Sequence, residues 1–414
     1  MLSHQLRLSS VFLIALLLLG TAAISAQGPE LKPGQVVGKP AEGLANAELP
    51  QTNLQMPYTH GGFFAFAFAP DGETVAGGTG VLKSGNKQAG YKVVGGGEVI
   101  LRNASTGKIV KTLGQHGATV NWARFSPDGK TLATANLSRL WSDGKTQTPA
   151  GLSNDTVKVW DLPSGKLRQT ITLPGKVVTS GGFFPRLFLT ANGNLVIAAI
   201  THEIKAVMVL RLANSDLRAW NTATGKEAWS LVDSQVRTAS VSADGKSLAL
   251  FQAKFVDLRE GQNESLKFKL TDQRLSVLDA ASGKLGKSIP ADRFSPNVVF
   301  FLDDGKRIGG ADHFGLTSWN LETGRSFAPV SWDRTRRSST NLVVSADGKT
   351  LARAWTDYVE LIDMATGRTV GLKEFDLPQP LLHPAFTPDL KRMACSISDP
   401  VVFDLTKLDA SPEI

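Results

Sequence analysis

Residues able to act as nucleophiles, metal ligands or acid–base pairs are few in this 414-residue chain, and none falls into a spacing that such chemistry requires. The single cysteine, Cys395, lies in the run Met393-Ala394-Cys395-Ser396, an apolar setting that keeps a thiol protonated and inert. Of the 6 histidines, His60, His202, His313 and His383 form no His-x-x-x-His pair of the kind that sets two imidazoles on one helix face for zinc. Asp312-His313 reads as a locally hydrogen-bonded turn, and the carboxylate pair Asp303-Asp304 falls in another turn. The chain has no Gly-x-Ser-x-Gly nucleophile elbow, no phosphate-cradling P-loop and no Cys-x-x-Cys-His haem site. The residues therefore predict a protein with no catalytic residue, no metal and no cofactor.

What the sequence does carry is a repeated pair of turns. Asn or Asp, followed four residues later by Gly and then Lys or Arg, recurs from Asn103 to Gly107, Asp161 to Gly165, Asn221 to Gly225, Asp279 to Gly283, Asn320 to Gly324 and Asp363 to Gly367, and Asp404 opens a seventh copy without the glycine. Upstream of each stands a second turn: Asp71-Gly72, Asp128-Gly129, Asn192-Gly193, Asp244-Gly245, Asp304-Gly305, Asp347-Gly348 and Asp389-Leu390. Asp and Asn side chains accept backbone N–H groups at the start of a turn, and Gly supplies the left-handed conformation that closes a tight hairpin. The runs between the turns, such as Val120-Asn121-Trp122-Ala123-Arg124-Phe125 and Thr156-Val157-Lys158-Val159-Trp160, have the composition of half-buried strands. Each unit thus has four strands, a to d from inside out. Seven such units predict an all-β fold, a seven-bladed β-propeller of four-stranded antiparallel blades, in which radial packing buries faces that no blade could bury alone. At 42% hydrophobic and 20% charged residues, the chain has the apolar material for that ring.

On these residues the chain resembles the WD-repeat family. The best unit reads His116, then Phe125-Ser126-Pro127-Asp128-Gly129-Lys130, then Asp155-Thr156-Val157-Lys158-Val159-Trp160-Asp161, and weaker units end in Trp220-Asn221 and Trp319-Asn320. The resemblance runs from about Gly61 to Leu405. It implies a structural network inside the second blade alone, through His116, Thr134, Asp155 (or Asn154) and Trp160. The segment from Trp220 to Trp229 resembles the docking repeat of pyrroloquinoline quinone propellers, but in one copy, where those proteins repeat it in most blades.

The unit lengths differ in one respect. From the Asp or Asn of each a–b turn to the residue opening the c–d turn there are 29 to 35 residues in units one to four and 15 or 16 in units five to seven. The extra chain enters at the b–c connection of the first four blades. In an antiparallel blade the b–c and d–a connections share one end of the ring and the two kinds of turn share the other, so one half of one face is built up. The insertions carry Lys83, Lys87 and Lys92 in blade one and Arg139, Trp141 and Lys145 in blade two, and the d–a connection after blade five adds Arg334, Arg336 and Arg337. The fourth insertion alternates as Phe255-Val256-Asp257-Leu258 and Leu266-Lys267-Phe268-Lys269-Leu270, which predicts a projecting β-hairpin. Long loops on a rigid scaffold are where binding resides. With a net charge of +8, the expectation is a non-catalytic, monomeric scaffold that engages a protein or an anionic envelope polymer through these residues. No alternation of stacking aromatics and cations points to nucleic acid. The alternative is a propeller enzyme of the lactonase or quinoprotein type, with its site over the central channel.

At the N-terminus, Arg7, the apolar stretch Val11 to Leu19 and the small residues up to Ala26 predict a secretory signal peptide over residues 1–26, cleaved after Ser25 or Ala26, and hence an exported, periplasmic or extracellular protein without stable membrane insertion after cleavage; the alternative is that the segment is kept as a membrane anchor. Residues 27–46 are rich in Gly, Pro and Ala and read as a flexible lead to a propeller over 47–414. Because WD-repeat proteins of eukaryotes are mostly intracellular, the resemblance implies a bacterial exported member. Unit seven ends after its third strand, so the ring is expected to close by an outer strand drawn from Ala47 to Met56.

Overall fold

The computed structural model describes residues 54–55, 62–80, 82–84, 91–93, 96–137, 139–140, 146–147, 155–174, 187–190, 192–205, 212–232, 234–242, 244–257, 268–291, 295–302, 305–312, 315–327, 329–331, 341–355, 357–375, 382–396 and 400–408. They belong to a compact unit over Gly43–Ile414. Seven four-stranded antiparallel sheets form the blades of a β-propeller. In strand order a to d, blade one comprises Gly62–Phe68, Thr74–Gly80, Glu98–Asn103 and Ile109–Gln115. Blade two comprises Trp122–Phe125, Thr131–Asn136, Thr156–Asp161 and Lys166–Thr172. Blade three is Leu187–Leu189, Leu195–Lys205, Leu212–Asn221 and Glu227–Leu231, and blade four is Val236–Val241, Ser247–Asp257, Phe268–Asp279 and Leu285–Pro290. Blade five is Val298–Leu302, Arg307–Ala311, Gly315–Asn320 and Val330–Ser331, and blade six is Asn341–Val344, Thr350–Ala354, Tyr358–Asp363 and Thr369–Glu374. Blade seven takes Leu382–Phe386, Arg392–Ser396 and Pro400–Asp404 from the chain's end, and its outer strand, Leu54–Gln55, from the other end.

That outer strand is the expected clasp, with Leu54 opposite Val402 and Gln55 opposite Val401. A second tie joins the same two blades: the Arg392 guanidinium donates to the Gly72 carbonyl at 3.1 Å and pairs with Glu73 at 3.0 Å. Between them lies an apolar seam of Phe66, Phe68, Val75, Ala394 and Val402. Every other pair of neighbouring blades shares such a seam, so the core is seven radial layers and each blade depends on two neighbours.

The turn chemistry does what its residue types demand. All 12 turn glycines have positive φ, between 64° and 87°. The seventh a–b turn holds the same left-handed conformation with Leu390, at φ 56°. Asx side chains cap the turns: Asn103 accepts from the amides of Ser105 and Thr106, Asn221 from Ala223 and Thr224, and Asp363 from Ala365 and Thr366. Asp404, lacking its glycine, instead caps a short 3-10 turn over Leu405–Lys407.

The blade-one and blade-two insertions each contain a two-stranded hairpin, Leu82–Ser84 with Tyr91–Val93 and Arg139–Leu140 with Thr146–Gln147. In blades three and four strands b and c simply run on, pairing as far as Lys205 with Leu212 and Asp257 with Phe268. The projecting hairpin expected in blade four is therefore present, and blade three has one too.

Candidate binding surfaces and the central channel

Of the residues expected on the insertion face, the structure places three on strands. Lys83 stands directly opposite Lys92 in the blade-one hairpin, and Arg139 stands opposite Gln147 in the blade-two hairpin. Lys87, Trp141, Lys145, Arg334, Arg336 and Arg337 lie outside the described residues. Like charges directly opposite each other weaken a strand pair by a few tenths of a kcal/mol, so the Lys83–Lys92 register is not a choice made for hairpin stability.

The blade-two network is a buried relay. The indole N–H of Trp160 donates to Thr134 Oγ1 at 2.8 Å, and Thr134 Oγ1 lies 2.8 Å from His116 Nε2. His116 Nδ1 lies 3.1 Å from Asn136 Oδ1. With a carbonyl oxygen facing it, Nδ1 carries the proton, and Nε2 accepts from the threonine hydroxyl. Burial depresses the imidazole pKa to about 4, against a raising effect from Asn136 and a further lowering by Lys158. Asp155 is fully buried at the start of strand c, where its carbonyl accepts from Leu173, and Asn154 lies outside the described residues. Asn136 is the member that the family pattern did not supply.

Related positions in blades four and six hold different polar groups. In blade four, Gln252 donates to the Ser234 carbonyl at 2.7 Å and accepts from Ser276 Oγ at 2.8 Å. Ser234 follows strand d of the preceding blade, as His116 does. In blade six, Arg353 and Glu360 form an ion pair at 2.6 Å with both side chains 1% exposed, and Thr369 donates to the other carboxylate oxygen. Strand alternation puts all three networks on the face toward the preceding blade, since Leu132, Leu248 and Leu351 pack there.

The inner strands line the channel. Among these seven described strands there is no Asp or Glu, and there are two arginines, Arg124 and Arg237. Arg124 is exposed between buried Ala123 and Phe125, yet surrounding protein desolvates it and lowers its pKa from the ordinary arginine value. Its place on the inner strand of blade two sets it along the channel. Arg237 sits at a bulge between Val236 and Thr238, and its Nε donates to the Ala253 carbonyl at 3.0 Å. Cys395 is fully buried and its thiol pKa is pushed up by that burial. Among the described residues no group of three or more His, Cys, Asp or Glu is placed to hold a metal ion.

The ring, its seven seams and its clasp define a seven-bladed β-propeller. No protein-family model matches the sequence, and neither does any curated protein.

Proposed function

We propose that the chain is an exported, WD-repeat-like, bacterial scaffold of the cell envelope, in which residues 1–26 direct export and the insertion face engages a protein or an anionic polymer. The observation that carries this reading is the common origin of the four insertions: each continues a b–c connection as paired strands, so all four project from one end of the ring. Paired strands hold side chains at fixed spacing, which lowers the ordering cost of binding. Lys83 opposite Lys92, with Lys87 between them in sequence and no acidic residue from Thr79 to Gly97, supports an anionic partner. Two inner-strand arginines without a carboxylate favour binding over the acid–base pair that a lactonase-type site would need.

The test is capture from an envelope fraction by the full chain and by variants in which the insertion tips are replaced by two-residue turns. Retention of a partner by the parent and its loss from the trimmed variants supports the reading. Equal capture by both overturns it. Intact-mass analysis of the exported form checks the leader: a mature chain starting at Ala26 or Gln27 is expected, and retention of residues 1–26 in the membrane contradicts it.

A further inference from the structure

We propose that the central channel contains an anion-binding site, built on Arg124 and assisted by Arg237, that takes a carboxylate or phosphate group of a ligand. The register of the inner strands defines the layer in which Arg124 stands. It pairs with Ala133, and the positions paired equivalently in the other blades are Ala67, Phe188, Ser240, Phe300, Val343 and Ala385. Arg124 is therefore the one ionised group in an otherwise neutral layer. No hydrogen bond or ion pair reaches its guanidinium among the described residues, whereas Arg353 is paired with Glu360, Arg218 with Asp216, and the buried Arg102 donates to the Gly107 carbonyl. An arginine side chain cannot shed its charge, so a guanidinium that is exposed on an inner strand and has no protein partner stays available to an anion.

Arg237 extends the site along the channel. It lies three residues before Ser240, the blade-four member of the Arg124 layer, which places it about 10 Å nearer the insertion end at the usual rise of a strand. Bulges re-aim side chains, and here the bulge is combined with the bond from Nε to Ala253, which fixes the side chain and leaves its terminal nitrogens without a partner among the described residues. A fixed guanidinium fork suits a planar carboxylate or a phosphate. No inner strand supplies an acid to compete. This inference does not rest on the insertion-face reading, because its residues belong to the ring and not to the hairpins.

The experiment is calorimetric titration and thermal denaturation of the full chain with inorganic phosphate and with succinate, at ionic strength held constant with chloride. Saturable one-site binding of at least one probe is expected, weakened about thirtyfold or more in Arg124→Gln, as for removal of one partner of a desolvated charge pair, and weakened less in Arg237→Gln. Lys108→Gln, at a c–d turn, is expected to bind as the parent does. Tighter succinate binding identifies a carboxylate ligand, and tighter phosphate binding a phosphate ester. Without ligand, Arg124→Met is expected to melt no lower than the parent, because an exposed charge without a protein partner holds nothing together. No saturable binding of either probe, unchanged binding in Arg124→Gln, or a lower melting temperature for Arg124→Met would each overturn the proposal, the last by showing the arginine to be structural.

Discussion

The two ends of the ring are built on different principles. At the turn end one pattern is stamped out blade after blade: an Asx side chain caps backbone amides and a glycine with positive φ closes the hairpin. There the Asx side chains are spent on their own backbone. At the insertion end the blades diverge, with hairpins of two kinds over blades one to four and with buried networks of three chemistries in blades two, four and six. Repetition marks what the fold needs at every blade. Divergence marks where sequence has been free to answer to something else, and both arginines of the channel strands belong to that irregular remainder.

This contrast predicts unequal mutational costs. The largest belongs to Glu360→Ala, which strands Arg353 as a buried charge and is expected to cost about 3–5 kcal/mol in denaturant unfolding. The double replacement Arg353→Met with Glu360→Leu is expected to restore the parent's stability or exceed it. If the double variant is as unstable as the single one, the ion pair is serving more than its own neutralisation.

An acid limb follows from His116. The folded protein keeps this imidazole neutral to about pH 4, while the unfolded chain protonates it near the ordinary 6.5. The unfolded state thus binds the extra proton between these values, and stability falls as pH drops through that window, by about 3 kcal/mol in all. The turn carboxylates Asp161 and Asp244, held below the usual value by Ser164 and Ser242, lose their contribution only at lower pH. His116→Gln should therefore flatten the stability profile between pH 6.5 and 4 and leave the steeper fall below it, as read by thermal melts across pH.

Smaller effects are expected at the clasp and the turns. Deleting residues 45–56 removes two paired residues from blade seven, at about 1 kcal/mol per hydrogen bond, and should broaden the melt, while the Arg392–Glu73 pair and the apolar seam still close the ring. Gly305 has φ 87° and open space around its Cβ position, so Gly305→Ala measures the conformational penalty alone, about 1–2 kcal/mol. Replacing residues 258–267 of the blade-four hairpin by a two-residue turn should change stability by under about 0.5 kcal/mol. A large loss there would mean that the hairpin belongs to the fold and not to its binding surface.

The turn end was legible in the sequence because Asx and glycine impose their conformation locally, whatever the rest of the chain does. Ring closure was legible by strand arithmetic, since blade seven lacked an outer strand and the segment before Gly62 was left to supply it. The buried networks were less so. His116, Thr134 and Trp160 followed from the family pattern, but Asn136 acts through a ring nitrogen 20 residues away, and Arg353 meets Glu360 only across a strand pair. A charged residue inside the apolar run Leu351-Ala352-Arg353-Ala354 was the available signal. Arg124 looked like an ordinary outward residue of an alternating strand, because the channel exists only after seven blades have closed around it.

The central claim is that the insertion face, not the turn face, meets the partner. Its most direct test compares two charge-reversal sets on the full chain: Lys83, Lys92, Arg334, Arg336 and Arg337 to Glu, against Lys166 and Lys226 to Glu at the exposed c–d turns. The measurement is the association rate with the captured envelope partner as a function of salt, across the range in which screening falls to ~10 Å at 0.1 M. The account predicts slower association with a flattened salt dependence for the first set and parental behaviour for the second. Equal slowing by the two sets would contradict it.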